Sequence, residues 1–309
     1  MRYDVALATL VLAACSGDDG GNKDGDPTSP EDRFAAFINA TEEVTGSFAG
    51  FTPSEDPTWL EQSVNPVTQS AFSINGLVQD FEEETPVAGA SVALYTDDGV
   101  DTPDDSATAD VNGRVSIPGL SCTPATYRVT SEGGPIATKT TFKAHQVYPF
   151  PVGTTIDDAV FTSVSDVTYQ LIPGILGIEV QSDLAIIAGT AFDVTRDPSA
   201  SPDDDAGKIE GAQIVVYDAE GNIPDTLTVN YFIENFPVRD QEATSADGLW
   251  VAANVPPGDL TVEMWGVVGG ELVKLGATQL KSEADSINIS NVYSGYGDGV
   301  KYPATCELP

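Results

Sequence analysis

Two short strings, 122 positions apart, constrain this chain more than any other feature: Gly89 to Tyr95 reads GASVALY, and Gly211 to Tyr217 reads GAQIVVY. In each, a Gly-Ala pair precedes a run in which branched residues alternate, Val92 and Leu94 in the first and Ile214 and Val216 in the second. A period of two specifies a β-strand with one face in a core. The flanks repeat as well. The first string follows FSINGLVQD and leads to TADVNGRVSIPGL and PATYRVTS; the second follows AIIAGTAFD and leads to TSADGLWVAANVPPG and DLTVEMWG. Asn112-Gly113 and Asp247-Gly248 are turn dipeptides that open the third run of each set, and each third run closes on a Pro-Gly bend. Short alternating runs punctuated in this way predict antiparallel β-sandwiches, and their recurrence predicts two of them.

The order Pro86-Val-Ala-Gly-Ala90, Asn112-Gly113 and Tyr127-Arg-Val129 resembles the carboxypeptidase regulatory-like domain, a small transthyretin-like sandwich also grouped with carbohydrate-binding-like folds. The resemblance covers residues 71–145 and 184–292. The second copy departs from it in an acidic insert, Val194 to Gly207, and in Leu260, where the family has tyrosine. The expected fold class is therefore all-β, two tandem antiparallel Ig-like or transthyretin-like sandwiches with a short N-terminal helix and a short inter-domain helix. The resemblance implies a module that assists, spaces or binds and has no catalytic residues of its own.

The N-terminus sets the expected compartment. Val5 to Ala14 is apolar or small apart from Thr9, too short for the roughly 20 residues of a membrane span but suited to the apolar stretch of a secretory signal. Leu12-Ala-Ala-Cys15 resembles the lipobox of bacterial lipoproteins, which implies a signal peptide over 1–15, lipidation of Cys15 and a membrane partner through that lipid. Residues 16–30 are mostly Gly, Asp, Ser and Pro with little to bury, an acidic tether by composition. Ser16 resembles the signal for sorting to the outer membrane of the cell envelope. Thirteen Lys plus Arg against 48 Asp plus Glu give a net charge of -35, which repels nucleic acid and removes it from the expected partners. An exported, oxidising compartment favours a disulfide between Cys122 and Cys306, the alternative being two inert buried thiols.

Ser29-Pro30-Glu31-Asp32 is a helix start within the segment 31–70. Phe34, Phe37, Ile38, Thr41 and Val44 then recur at helical spacing up to Gly46, an apolar face expected to dock on the sandwich that follows. In the connector 146–183, Ser165 or Asp166 is expected to cap a helix through Leu171 or Ile172, broken or kinked at Pro173-Gly174 before another strand. Leu171, Ile172, Ile175, Leu176 and Ile178 are expected to be buried between the sandwiches. Residues 293–309 form a C-terminal tail.

Reactive motifs are scarce. His145 is the one histidine, and the sequence carries no His-Glu-x-x-His, Cys-x-x-Cys, Gly-x-Ser-x-Gly or phosphate loop. An enzyme is not expected. Asp97, Asp98, Asp101, Asp104 and Asp105, and separately Asp203, Asp204 and Asp205, supply oxygens of the kind that hold a structural calcium, although their spacing is not that of an EF-hand and a solvated acidic loop is the plainer reading. No other cofactor is expected. Trp250 and Trp265 lie in alternating strands as core residues, while Tyr293, Tyr296 and Tyr302 are candidates for a ligand surface or for docking of the tail. The functional expectation is a non-catalytic, lipid-anchored envelope protein that binds carbohydrate or protein. The alternative is a structural spacer or accessory subunit, with a hydrolase a distant third.

Overall fold

A computed structural model of the chain describes residues 30–45, 71–81, 84–95, 102–120, 125–131, 138–146, 155–192 and 207–294. Cys15, Cys122, Cys306, Asp97, Asp98, Asp101, Asp203, Asp204, Asp205, Tyr296 and Tyr302 lie outside them. After helix α1 (Pro30–Phe37) come β1 (Ala71–Asp80), β2 (Ser91–Tyr95), β3 (Asp105–Thr108), β4 (Arg114–Leu120), β5 (Ala125–Thr130), β6 (Thr138–Gln146) and β7 (Thr155–Ser165). Helix α2 (Asp166–Leu176) leads to β8 (Ala185–Phe192), β9 (Gln213–Tyr217), β10 (Thr228–Ile233), β11 (Phe236–Val238), β12 (Leu249–Val255), β13 (Gly258–Val268), β14 (Glu271–Ser282), β15 (Ser286–Ile289) and β16 (Val292–Tyr293). The fold is all-β, of sandwich type, with two short helices.

The two copies obey one pairing rule. In the first, β1 pairs antiparallel with β4 and parallel with β7, while β5 runs antiparallel between β2 and β6. In the second, β8 pairs antiparallel with β12 and parallel with β15, while β13 runs antiparallel between β9 and β14. The parallel partners depart from the wholly antiparallel expectation. Parallel neighbours need a long crossover between them, and here most of each sandwich supplies it. It also follows that β7, which lies within the segment expected as a connector, is a strand of the first sandwich.

The repeated Gly-Ala pairs form one local device twice. Gly89 N–H donates to Ala109 O at 3.1 Å and Ala109 N–H returns to Ala90 O at 2.8 Å; Gly211 N–H donates to Thr244 O and Thr244 N–H returns to Ala212 O, both at 2.8 Å. Both glycines have positive φ, 75° and 88°, which explains glycine at these two positions. Close approach of a neighbouring chain does not account for Gly89, where a Cβ would meet nothing within 4 Å. The next turns match as well: Asp110 Oδ1 accepts from the N–H groups of Asn112 and Arg114, and Asp247 Oδ1 from that of Leu249. The two N–H groups hold the Asp110 carboxyl below the usual aspartate range.

Each sandwich has its own core. Ile74, Val78, Val92, Leu94, Ile117, Tyr127, Val129 and Phe161 fill the first; Ile187, Ile214, Val216, Tyr231, Trp250, Val262, Met264 and Leu275 belong to the second. What joins them is β15. It pairs parallel with β8 of its own sandwich (Ile287 opposite Ile186) and, on its other edge, parallel with β6 of the first (Ile287 opposite Thr141). One sheet therefore runs β11-β10-β12-β8-β15-β6-β5-β2-β3 through both copies.

Helix α2 covers that sheet near the join. Ser165 caps it, accepting from Thr168 N–H at 3.1 Å, and Gly177 ends it in the left-handed conformation at φ 72°. The helix continues through Pro173-Gly174, where a break or a kink was expected. Proline removes one backbone donor, but the helix has only three residues left to run. Tyr169 and Leu176 pack on Ile186, Phe232, Val251, Ala253 and Ile287 of the sheet face. Leu171 and Ile175, expected to be buried, are instead 45% and 50% exposed.

Candidate functional site

The three-stranded sheet β14-β13-β9 turns alternate residues to opposite sides. Leu260, Val262 and Met264 face the core, so Thr261, Glu263 and Trp265 face outward. Residues 30–45 cover one half of this outer face and leave the other half open.

The covering segment is a clasp. α1 stops at Phe37, short of the expected Gly46, because residues 38–45 find partners on the second sandwich in place of helical ones. Phe34 meets Trp265 edge to face at 5.1 Å. Asn39 and Ala40 N–H donate to Gln213 Oε1 at 2.7 and 2.8 Å, and Gln213 Nε2 donates back to Asn39 Oδ1. Val44 N–H donates to Val267 O at 3.0 Å, and the Glu43 carboxylate accepts from Gly269 and Gly270 N–H. Arg33 donates to the carbonyls of Ile223 and Pro224 and pairs with Asp225 at 2.8 Å. Gly266 leaves the room required, since a Cβ there would lie 2.3 Å from Val44 Cγ1. The helical segment thus docks on the second sandwich, not on the one that follows it in sequence.

The open half is a groove of about 770 Å³ lined by Tyr217, Asp218, Asp259, Thr261, Gln279 and Lys281, with Glu263 on its floor. Tyr217, Thr261 and Gln279 form one cross-strand row, and Asp259 faces Lys281 in the next. The Glu263 carboxylate is engaged on both oxygens: Trp265 Nε1 donates to one at 2.9 Å and Lys274 Nζ to the other at 3.1 Å. Burial, then the adjacent Glu263 charge, pushes the Tyr217 hydroxyl well above its ordinary range. A carboxylate tied to Trp265 and Lys274 is a strut, not a free base. Asp218 is likewise engaged by Glu220 and Asn222 N–H. The groove offers polar contacts to a ligand without an activated nucleophile.

The expected site residues fall elsewhere. Asp105 opens β3 and accepts from Ser106 N–H at 2.7 Å, and Asp104 N–H bonds Leu94 O. Among the described residues, no group of three or more His, Cys, Asp or Glu converges to hold a metal. Tyr293 ends β16, opposite Phe192, and His145 lies in β6. Trp250, Tyr231 and Phe232 are buried core residues and Trp265 lies under the clasp, whereas Phe236 in β11 is exposed. Gln213 and Glu263 were missed. Gln213 carried a signal, a lone amide in an otherwise apolar strand, which needs a polar partner when buried.

No protein-family model matches this sequence, and no curated protein does. Among solved structures, the chain is similar to the Bacillus anthracis TIE protein at 14% identity, covering 73% of this chain and 34% of that one, with a TM-score of 0.21. It is also similar to BcpA, the major pilin subunit of Bacillus cereus, at 11% identity, 73% and 100% coverage and a TM-score of 0.22. The shaft pilin SpaA from Lactobacillus rhamnosus GG gives 11% identity, 78% and 100% coverage and a TM-score of 0.22. The chain spans about a third of the first of these and the whole of the two pilins; superpositions this loose carry no functional argument.

Proposed function

We propose that this chain is a non-catalytic, lipid-anchored accessory protein of the bacterial cell envelope, in which two carboxypeptidase regulatory-like sandwiches act as one rigid spacer. The observation that carries this reading is β15, hydrogen-bonded to β8 on one edge and to β6 on the other. Independent binding beads on a string have no use for a shared strand. The anchor is Cys15, at the outer membrane. The 15 steps from Cys15 to Pro30 reach at most about 50 Å, and Pro30 opens the clasp on the second sandwich, so the lipid holds the clasp within that distance of the membrane. Among the described residues, no helix is long and apolar enough to cross a membrane.

Cys15→Ser tests the anchor: the protein moves from the membrane to the soluble fraction, and unchanged partition overturns the reading. The same preparation tests the remaining proposals. A Cys122–Cys306 disulfide appears as one linked peptide in non-reducing mapping, and calcium at Asp97 to Asp105 appears as saturable heat on titration.

A second reading rests on the groove. Its Thr261, Gln279 and Lys281 present hydrogen-bonding groups in the manner a carbohydrate requires. A glycan panel that registers binding to the wild type but not to Gln279→Ala and Lys281→Ala supports it; silence across the panel removes it.

A further inference from the structure

Helix α2 buries one face on the sheet and leaves an apolar stripe on the other. Val167, Leu171 and Ile175 follow one another at intervals of four and are 72%, 45% and 50% exposed. They fall within one narrow sector, about 12 Å long, opposite Tyr169 and Leu176. Three branched residues in line on a solvent face form an interaction surface more readily than scattered apolar exposure does. Acids outnumber cations beside them: Asp166 opens the helix, Glu179 and Asp183 follow it and the Asp285 charge reaches Tyr169, against Lys139 in the strand paired with Val164 and Arg239 at the last turn. Arg239, the cation bonded to the helix, gives its guanidinium to the carbonyls of Leu176 and Ile175.

We infer that the Val167–Leu171–Ile175 face of α2 is the docking surface for a cationic amphipathic helix of a partner protein, whose apolar side lies along the stripe and whose Lys and Arg flank it. Charge selects this occupant. A second copy brings the same acids, in a chain of net charge -35, and an anionic lipid surface has the same sign, so both are repelled. Helix-on-helix docking suits residues spaced by four. The inference deepens the accessory reading by naming its partner class, and it fails separately from that reading, because the Cys15 experiment does not involve α2.

The test uses the full chain prepared without its lipid and two 14-residue probes, (LKKLLKL)₂ and (LEELLEL)₂, titrated calorimetrically. The lysine peptide binds and the glutamate peptide does not. Leu171→Gln with Ile175→Gln lowers affinity for the lysine peptide at least tenfold, while Val111→Gln, at an 87% exposed site in the first sandwich, leaves it within twofold. Val167→Gln is the reserve variant should the double one melt early, with a threefold or greater loss expected. Equal affinity of wild type and stripe variants overturns the inference, because binding is then by charge alone. So does light scattering that shows a wild-type dimer dissolved by the stripe variants, or uptake onto phosphatidylcholine vesicles that they abolish.

Discussion

Gly189→Ala tests the seam of the molecule at its tightest point. Gly189 lies in β8 opposite Trp250. A Cβ there would sit 1.9 Å from Ser290 O, 2.7 Å from Ser290 C and 2.9 Å from Trp250 Cζ2. Two of these atoms are backbone, so no rotamer relieves the clash, and the chain beyond β15 must withdraw by more than 1 Å. That movement breaks Ser290 N–H to Ala188 O at 2.8 Å and Thr190 N–H to Asn291 Oδ1 at 3.1 Å. Two lost hydrogen bonds cost about 1 to 3 kcal/mol together, and forcing an extra methyl into a filled site costs about 1 to 3 kcal/mol more. A total near 4 kcal/mol lowers Tm by roughly 8 to 16 °C for a protein of this size. Scanning calorimetry and urea midpoints measure it. Gly174→Ala is the control: nothing lies within 4 Å of its Cβ, and alanine in a helix is neutral or gains up to about 1 kcal/mol. A Gly189→Ala protein that melts within 2 °C of wild type refutes the close crossing of β8 by Ser290.

Three further outcomes follow from the same contacts. Tyr231→Phe removes the hydroxyl that accepts from Ile214 N–H at 2.8 Å in the core; the stranded donor lowers stability by about 1 to 3 kcal/mol, read as a lower urea midpoint, and an unchanged midpoint contradicts the bond. Phe34→Ala strips the ring from Trp265, costs about 1 to 3 kcal/mol and shifts tryptophan emission to the red; an unshifted spectrum places the clasp elsewhere. Burial raises the hydroxyls of Tyr169, to about 12, and of Tyr217 and Tyr231. The unfolded chain ionises near 10 while the folded chain does not, so their contribution is complete below about pH 10 and is lost as pH climbs toward the folded values. Urea midpoints flat from pH 8 to 9.5 and falling from 10 to 12 are expected; a flat profile to 12 contradicts the burial.

Much of the sandwich architecture was legible because it is local. The period-two strings, the Asn112-Gly113 and Asp247-Gly248 turns and the Ser165 cap all act within a few residues, and β2, β9, β4 and β12 form where these signals lie. Less of the assembly was legible, since it depends on distant partners. Nothing in Phe34, Phe37 and Ile38 says which sandwich supplies Trp265, and the spacing that reads as helix to Val44 also serves an extended clasp held by Gln213 and Val267. Trp250 was legible for the same local reason: its place in an alternating strand reads as core, and it is buried. β7 was hidden because the strand paired with β1 lies some 80 residues beyond it. The groove around Glu263 left no motif at all, being assembled from single residues of three strands.

β15 binds the two sandwiches into one sheet, and residue-resolved hydrogen exchange reads that bond at each amide. The amides of β15 which bond into the sheet are expected to exchange as slowly as those of β8 and β12, with those of 140–143 in β6 slowed alongside them. Exchange of Ser286 to Ile289 at the rate of an open chain, with β8 and β12 still protected, would contradict it and leave two separate sandwiches.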